Sequence, residues 1–158
     1  MAEEIERKFL LLNEDWRGAV QRSVAFAQGY LLGARQASVR VRIEGEQANL
    51  NIKGVTLGVR RAEYEYPIPL ADAREMLDTL CEGPLIEKTR HYVEHQGHTW
   101  EIDEFHGDNA GLRVAEIELA HEDEPFARPG WLGAEVSGEA RYYNVMLVKH
   151  PYREWRDE

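Results

Sequence analysis

Pairs of like-charged side chains two residues apart recur along this chain. Arg40 with Arg42 and Lys88 with Arg90 are basic pairs; Glu63 with Glu65, Glu101 with Asp103, and Glu116 with Glu118 are acidic ones. Near the N-terminus Glu4, Glu6 and Lys8 keep the same spacing, Arg61 leads the Glu63/Glu65 pair, and Lys53 follows Asn51 at the same interval. In an extended strand, residues i, i+2 and i+4 point to one face. Each set would therefore present a row of charge, and rows of like charge repel unless something neutralises them. Carboxylate rows offer hard oxygen ligands suited to Mg²⁺ or Mn²⁺. Rows of arginine and lysine suit several phosphates of one linear ligand, arginine through forked hydrogen bonds and lysine as a compact charge. Together the two kinds of row fit a metal–polyphosphate.

The elements that must carry these rows read as strands. Charges alternate with apolar residues, as in Val39-Arg40-Val41-Arg42-Ile43 and Trp100-Glu101-Ile102-Asp103. Strands are predicted at roughly 3–12, 27–33, 37–45, 47–55, 60–69, 86–96, 98–105 and 113–120. Hairpin loops are expected at Glu44-Gly45-Glu46-Gln47, at Gly54-Val55-Thr56-Leu57-Gly58, at His95-Gln96-Gly97 and from His106 to Gly111. Helical spacing predicts one helix from Leu70 to Leu80, before Gly83-Pro84, and another after Ser137-Gly138 that takes in Tyr142, Val145 and Met146. Short helices are expected near Glu124–Ala127 and at the C-terminus. An ordinary amphipathic sheet, charges in water and apolar residues in a core, accounts for any single strand. Sorting by sign on almost every strand favours a closed antiparallel barrel with a polar interior, its apolar outer faces covered by helices.

Composition narrows the function classes. The chain has 158 residues and a formal net charge of -10, with 43% apolar and 30% charged residues. Residues 1–158 are expected to form one domain. A strongly acidic balance argues against a nucleic-acid or anionic-membrane binder. Cys81 is the only cysteine, so no internal disulfide or cysteine-based zinc site can form, and a reducing, cytoplasmic setting is expected. The N-terminus lacks the apolar core of a secretory signal, and no apolar run is long enough for a spanning helix.

Glu4-x-Glu6-x-Lys8 resembles the E-x-E-x-K signature of the CYTH superfamily, the triphosphate tunnel metalloenzymes. Gln28-Gly29-Tyr30-Leu31 is similar to that family's second strand, and the rows at Arg40/Arg42, Lys53, Arg61/Glu63/Glu65, Lys88/Arg90, Asp103 and Glu116/Glu118 follow in the family's order. The likeness runs from residue 3 to about 149 and is greatest to the small bacterial branch, which includes inorganic triphosphatases. It implies an α+β, mainly β fold: an eight-stranded antiparallel closed β-barrel, the tunnel, with flanking helices. That number agrees with the strands read above.

The resemblance implies that Lys8, Arg40, Arg42, Lys53, Arg61, Lys88 and Arg90 hold a small-molecule triphosphate. It implies that Glu4, Glu6, Glu63, Glu65, Asp103, Glu116 and Glu118 serve one or two divalent metals, Mg²⁺ or Mn²⁺. Hydrolysis of inorganic triphosphate is the expected reaction, with Glu63 or Glu65 orienting water and Lys88 or Tyr30 assisting the leaving group. The same charges would serve a class IV adenylate cyclase or a thiamine or nucleoside triphosphatase. A non-catalytic polyphosphate-binding module is disfavoured, because carboxylates do nothing for a pure anion binder. A homodimer is left open. By alternation His91 and His95 face outward. Trp16, Trp100, Trp131 and Trp155 are expected to pack. Arg141-Tyr142-Tyr143-Asn144 is expected to dock a helix on the barrel, Lys149 could close one tunnel end, and Cys81 reads as a buried helical residue.

Overall fold

The computed structural model describes residues 3–33, 37–54 and 59–155. Nine strands are found among them: β1 (Glu3–Leu11), β2 (Val20–Gly33), β3 (Ala37–Glu44), β4 (Gln47–Gly54), β5 (Arg60–Pro67), β6 (Glu82–His95), β7 (His98–Phe105), β8 (Arg113–Glu118) and β9 (Leu132–Glu135). The helices are α1 (Leu70–Thr79) and α2 (Asn144–Lys149), with 3-10 turns at Asp15–Ala19, Gly107–Asn109, Ala140–Tyr142 and Tyr152–Glu154.

Eight strands close into an antiparallel ring in the order β1-β5-β4-β3-β2-β6-β7-β8 and back to β1. Closure depends on β1, which serves different partners along its length. Glu3–Ile5 pair with β5, Glu6–Phe9 pair with β8, and Phe9 and Leu11 also meet β9 outside the ring. With no open edge, every inward-facing row shares one enclosed space.

Most of the apolar core lies outside the barrel. Ala73 and Leu77 of α1 pack on Val41 and Ala48. Trp16 and Trp131 cover Ile5, Phe9, Trp100, Ile102 and Ile117, the residues that alternate with the charges. This is why strands with charged inner faces still fold: their outer faces bury enough apolar surface. At one end the interior itself turns apolar. Ile86, Phe105 and Val114 continue the inward faces of β6, β7 and β8 and pack with Tyr142 and the fully buried Leu147 of α2. The barrel is plugged there. Gly29 is needed for close approach on the outer face of β2, where a Cβ would lie 2.8 Å from both Cys81 Sγ and Leu85 Cδ2.

Several expectations are corrected. β2 begins at Val20 rather than near 27, because it ladders along β6 as far as Val93 and long-range pairing outweighs the weak local pattern of Gln21-Arg22-Ser23. The segment near Glu124–Ala127 is not helical, and β9 was not foreseen. The second helix is shorter than expected and follows a 3-10 turn. Cys81 lies after α1 in the connection to β6 and is only half-buried. The loop expected at 54–58 falls mainly on residues outside those described. His91 faces outward and the tryptophans pack in apolar clusters, as expected: His91 Nδ1 and Ser23 Oγ share a hydrogen bond of 2.7 Å, and the His91 ring lies 5.1 Å from that of Trp16. Among the described residues, no helix is long and apolar enough to cross a membrane.

Candidate active site

The ring encloses a polar cavity of about 200 Å³. Strand register decides which inward residues meet. Across β1, Glu4 is opposite Arg61, Glu6 opposite Glu118, and Lys8 opposite Glu116. Tyr30 is opposite Arg40 and Gln28 opposite Arg42 on the β2–β3 ladder. Lys53 lies between Ser38 and Glu63, and Arg90 is opposite Asp103. All the sequence-predicted site residues line this cavity except Asp103.

The cations are neutralised unevenly. Lys53 Nζ lies 3.1 Å from Glu4 and 3.4 Å from Glu63, and Arg61 donates to Glu4 and to Glu6 at 3.2 Å each. Near the plugged end, Arg90 forks onto the Asp103 carboxylate at 2.8 and 2.9 Å, and Lys88 donates to Asp103 Oδ2 at 2.8 Å. Arg40 is different. Its Nε donates to Asn51 Oδ1 at 3.2 Å, while its buried Nη2 has no hydrogen-bond partner among the described residues. Arg42 donates to the Gln28 carbonyl at 3.0 Å, and its carboxylate neighbour is Glu44 at 3.6 Å.

Burial and charge shift several groups. Burial, followed by the nearby Arg40 and Arg90 charges, pushes the Arg42 guanidinium down to about 10. Burial holds Lys88 at about 7, against the pull of Asp103 and with help from Arg90 and Arg42. Glu101 is raised to about 7 by burial, although Arg90 opposes the shift. Burial also raises Asp103, but Arg90 and Lys88 outweigh it and keep that carboxylate below its usual range. Glu118 is raised by burial and by the neighbouring carboxylates Glu4, Glu63 and Glu6.

The sequence matches the CYTH domain family over residues 2–150. This chain belongs to that family. It is 44% identical to an inorganic triphosphatase of Acetivibrio thermocellus, over 99% of this chain and all of the relative. It is 34% identical to an inorganic triphosphatase of Nitrosomonas europaea, over 92% of this chain and 96% of that one. A crystal structure of an inorganic triphosphatase matches with a TM-score of 0.67 at 34% identity, covering 94% of this chain and 95% of the other.

CYTH membership implies a divalent metal, and the tunnel chemistry fits one. Glu4, Glu6, Glu63 and Glu118 are hard oxygen donors, and burial together with the other three carboxylates raises the Glu118 carboxyl. As the side chains stand, no three carboxylate, imidazole or thiol groups among the described residues converge tightly enough to hold an ion. Lys53 and Arg61 draw the acidic groups toward themselves instead.

The CYTH tunnel also uses residues that were not singled out as site residues. Ser38, Glu44, Tyr92 and Glu101 line the cavity and were within reach of strand parity, since they share faces with Arg40, Arg42, Arg90 and Asp103. Tyr143, Asn144 and Val145 line it too, and no local pattern announces them. The Arg141–Asn144 segment therefore enters the tunnel end rather than merely docking a helix on the outside. Lys149 is exposed and does not close the tunnel.

Proposed function

We propose that this chain is an inorganic triphosphatase that hydrolyses linear triphosphate to pyrophosphate and phosphate inside the tunnel. The observation that carries this reading is the buried Arg40, beside Arg42, with a guanidinium nitrogen lacking a partner in an enclosed polar cavity. A buried donor left unpaired is costly and usually marks where a ligand completes the site. The cavity volume favours a compact anion: about 200 Å³ is less than the roughly 300–1,000 Å³ usual for sites that take larger organic ligands.

In this reading Lys8, Arg40, Arg42, Lys53, Arg61, Lys88 and Arg90 bind and align the phosphates. Glu4, Glu6, Glu63, Glu65, Glu116 and Glu118 form the cation-binding side. Mg²⁺ or Mn²⁺ held there supplies charge neutralisation and lowers the pKa of water. Asp103 is reassigned as the counter-ion that aims Lys88 and Arg90, because it is fully buried behind the cavity wall. Glu63 orients water at the terminal phosphorus. Lys88 directs an N–H at the leaving oxygen; Tyr30, which lines the cavity opposite Arg40 on the β2–β3 ladder, is the alternative donor. Positioning and charge stabilisation dominate, as in other phosphoryl transfers. The single cysteine supports a reducing, cytoplasmic setting for this activity.

The test is phosphate release from triphosphate, pyrophosphate, ATP and thiamine triphosphate, with Mg²⁺ and then Mn²⁺. Preferential turnover of triphosphate is expected. Preferential conversion of ATP to cyclic AMP would overturn the assignment. Tight triphosphate binding without turnover would make the chain a binding module.

A further inference from the structure

The closed end of the tunnel is built by a segment from outside the barrel. Tyr142 contributes its carbonyl, which accepts from Lys8 Nζ at 3.2 Å. The Tyr143 ring lies 5.5 Å from Lys8 Nζ and 5.4 Å from Arg61 Cζ. Asn144 makes the most directed contacts. Its Oδ1 accepts from Lys88 Nζ at 2.9 Å and from Gln28 Nε2 at 2.8 Å. Gln28, which has no exposed surface, in turn accepts at Oε1 from Arg42 Nε at 3.0 Å. A hydrogen-bonded chain thus joins Arg42, Gln28, Asn144, Lys88 and Asp103.

We propose that Asn144, backed by Gln28, is a positioning residue that fixes the direction of the Lys88 ammonium in the tunnel. The consequence for turnover rests on the triphosphatase reading above; the geometry of Lys88 does not. An ammonium has three N–H donors. Asp103 and Asn144 hold two of them, which aims the third at the cavity that Lys88 lines. With Asp103 alone the head group could pivot about one contact. Gln28 limits the freedom of Asn144 by holding the same oxygen. Both intermediaries are neutral amides: they orient Lys88 and Arg42 without cancelling charge the ligand needs, which a carboxylate in either place would do.

Two readouts test this. The chain has four lysines, so side-chain ¹⁵Nζ spectra are simple, and Lys88→Arg assigns the Lys88 signal. In Asn144→Leu, the Lys88 signal should shift and broaden more than those of Lys53 and Lys149. Triphosphate kcat should fall about 10- to 100-fold while KM changes far less, as for a misaimed group that acts in the transition state. Asn144→Asp keeps the accepting oxygen and should restore the Lys88 signal and most of kcat, with KM raised by the added charge. A folded Asn144→Leu protein with an unchanged Lys88 signal would overturn the proposal, as would equal loss of kcat in Asn144→Asp. If the unmutated protein does not turn over triphosphate, the functional reading falls and the Lys88 signal alone decides the positioning role.

Discussion

On the β1–β5 side of the tunnel, Lys53 and Arg61 each hold two carboxylates within 3.4 Å. On β3, Arg40 has no carboxylate partner among the described residues, and one of its nitrogens is buried without any partner. The first arrangement neutralises itself and must exchange partners when metal and phosphate enter. The second stands ready for an anion and bears the cost of an uncompensated buried charge until one arrives. A tunnel with two such sides keeps one open to a polyanion, while the carboxylates of the other can exchange Lys53 and Arg61 for a cation.

The largest effect should follow from Arg40→Met. Triphosphate kcat/KM should fall about 100- to 1,000-fold, or about 3–4 kcal/mol. Ligand-free Tm should rise, because an unpaired buried charge is replaced by an apolar group of similar length. A lower Tm would show that Arg40 is compensated in the free protein and would erase the contrast between the sides.

Stripping divalent cations should act on the other side. Calorimetry with a chelator present should give triphosphate binding weaker by about tenfold or more, since the acidic groups then face phosphate unshielded. Lys53→Gln should lower kcat/KM by less than about tenfold, because a self-neutralised cation contributes less new binding than a free one. If it matched Arg40→Met, the two sides would not differ in kind.

The smallest effect concerns Glu118. Its folded pKa is raised above the ordinary carboxyl value of 4.5 by burial and by Glu4, Glu63 and Glu6. For a carboxyl shifted upward, the folded state holds its proton more tightly, so the contribution to stability is full below pH 4.5 and is lost as pH rises through the folded pKa. Glu118→Gln should therefore give a slightly higher Tm than the unmutated protein at pH 7 in chelator. Mg²⁺ should then raise that Tm by less than it raises the unmutated one. An unchanged Mg²⁺ increment would remove Glu118 from the cation-binding side. Outside the tunnel, Glu104 is the control: its hydrogen bond from Arg17 holds it at about 2, so its contribution is present above pH 4.5 and lost as pH falls toward 2, whatever the metal.

Strand parity made much of the candidate site legible. Alternation in Val39–Ile43 or Trp100–Asp103 fixes which residues share a face before any partner strand is known, and ladder register then keeps those rows inward. The fold was legible for the same reason, since five like-charged pairs on as many strands make little sense on an open, solvated sheet. Asn144 was not legible, because a single asparagine at the start of a six-residue helix looks like any polar residue. The early start of β2 was hidden in a polar stretch that becomes a strand only by pairing with β6.

The sequence by itself determined the inward rows, the sign of each row, and through them the family and the chemistry the tunnel can perform. Tertiary structure alone decided which charges cancel. Lys53 meets Glu4 and Arg61 meets Glu6 only because β1 joins β5, while Arg40 meets an asparagine because its neighbour on β4 is Asn51. Parity is a local property of an extended backbone, whereas neutralisation depends on distances between strands that only closure of the barrel sets.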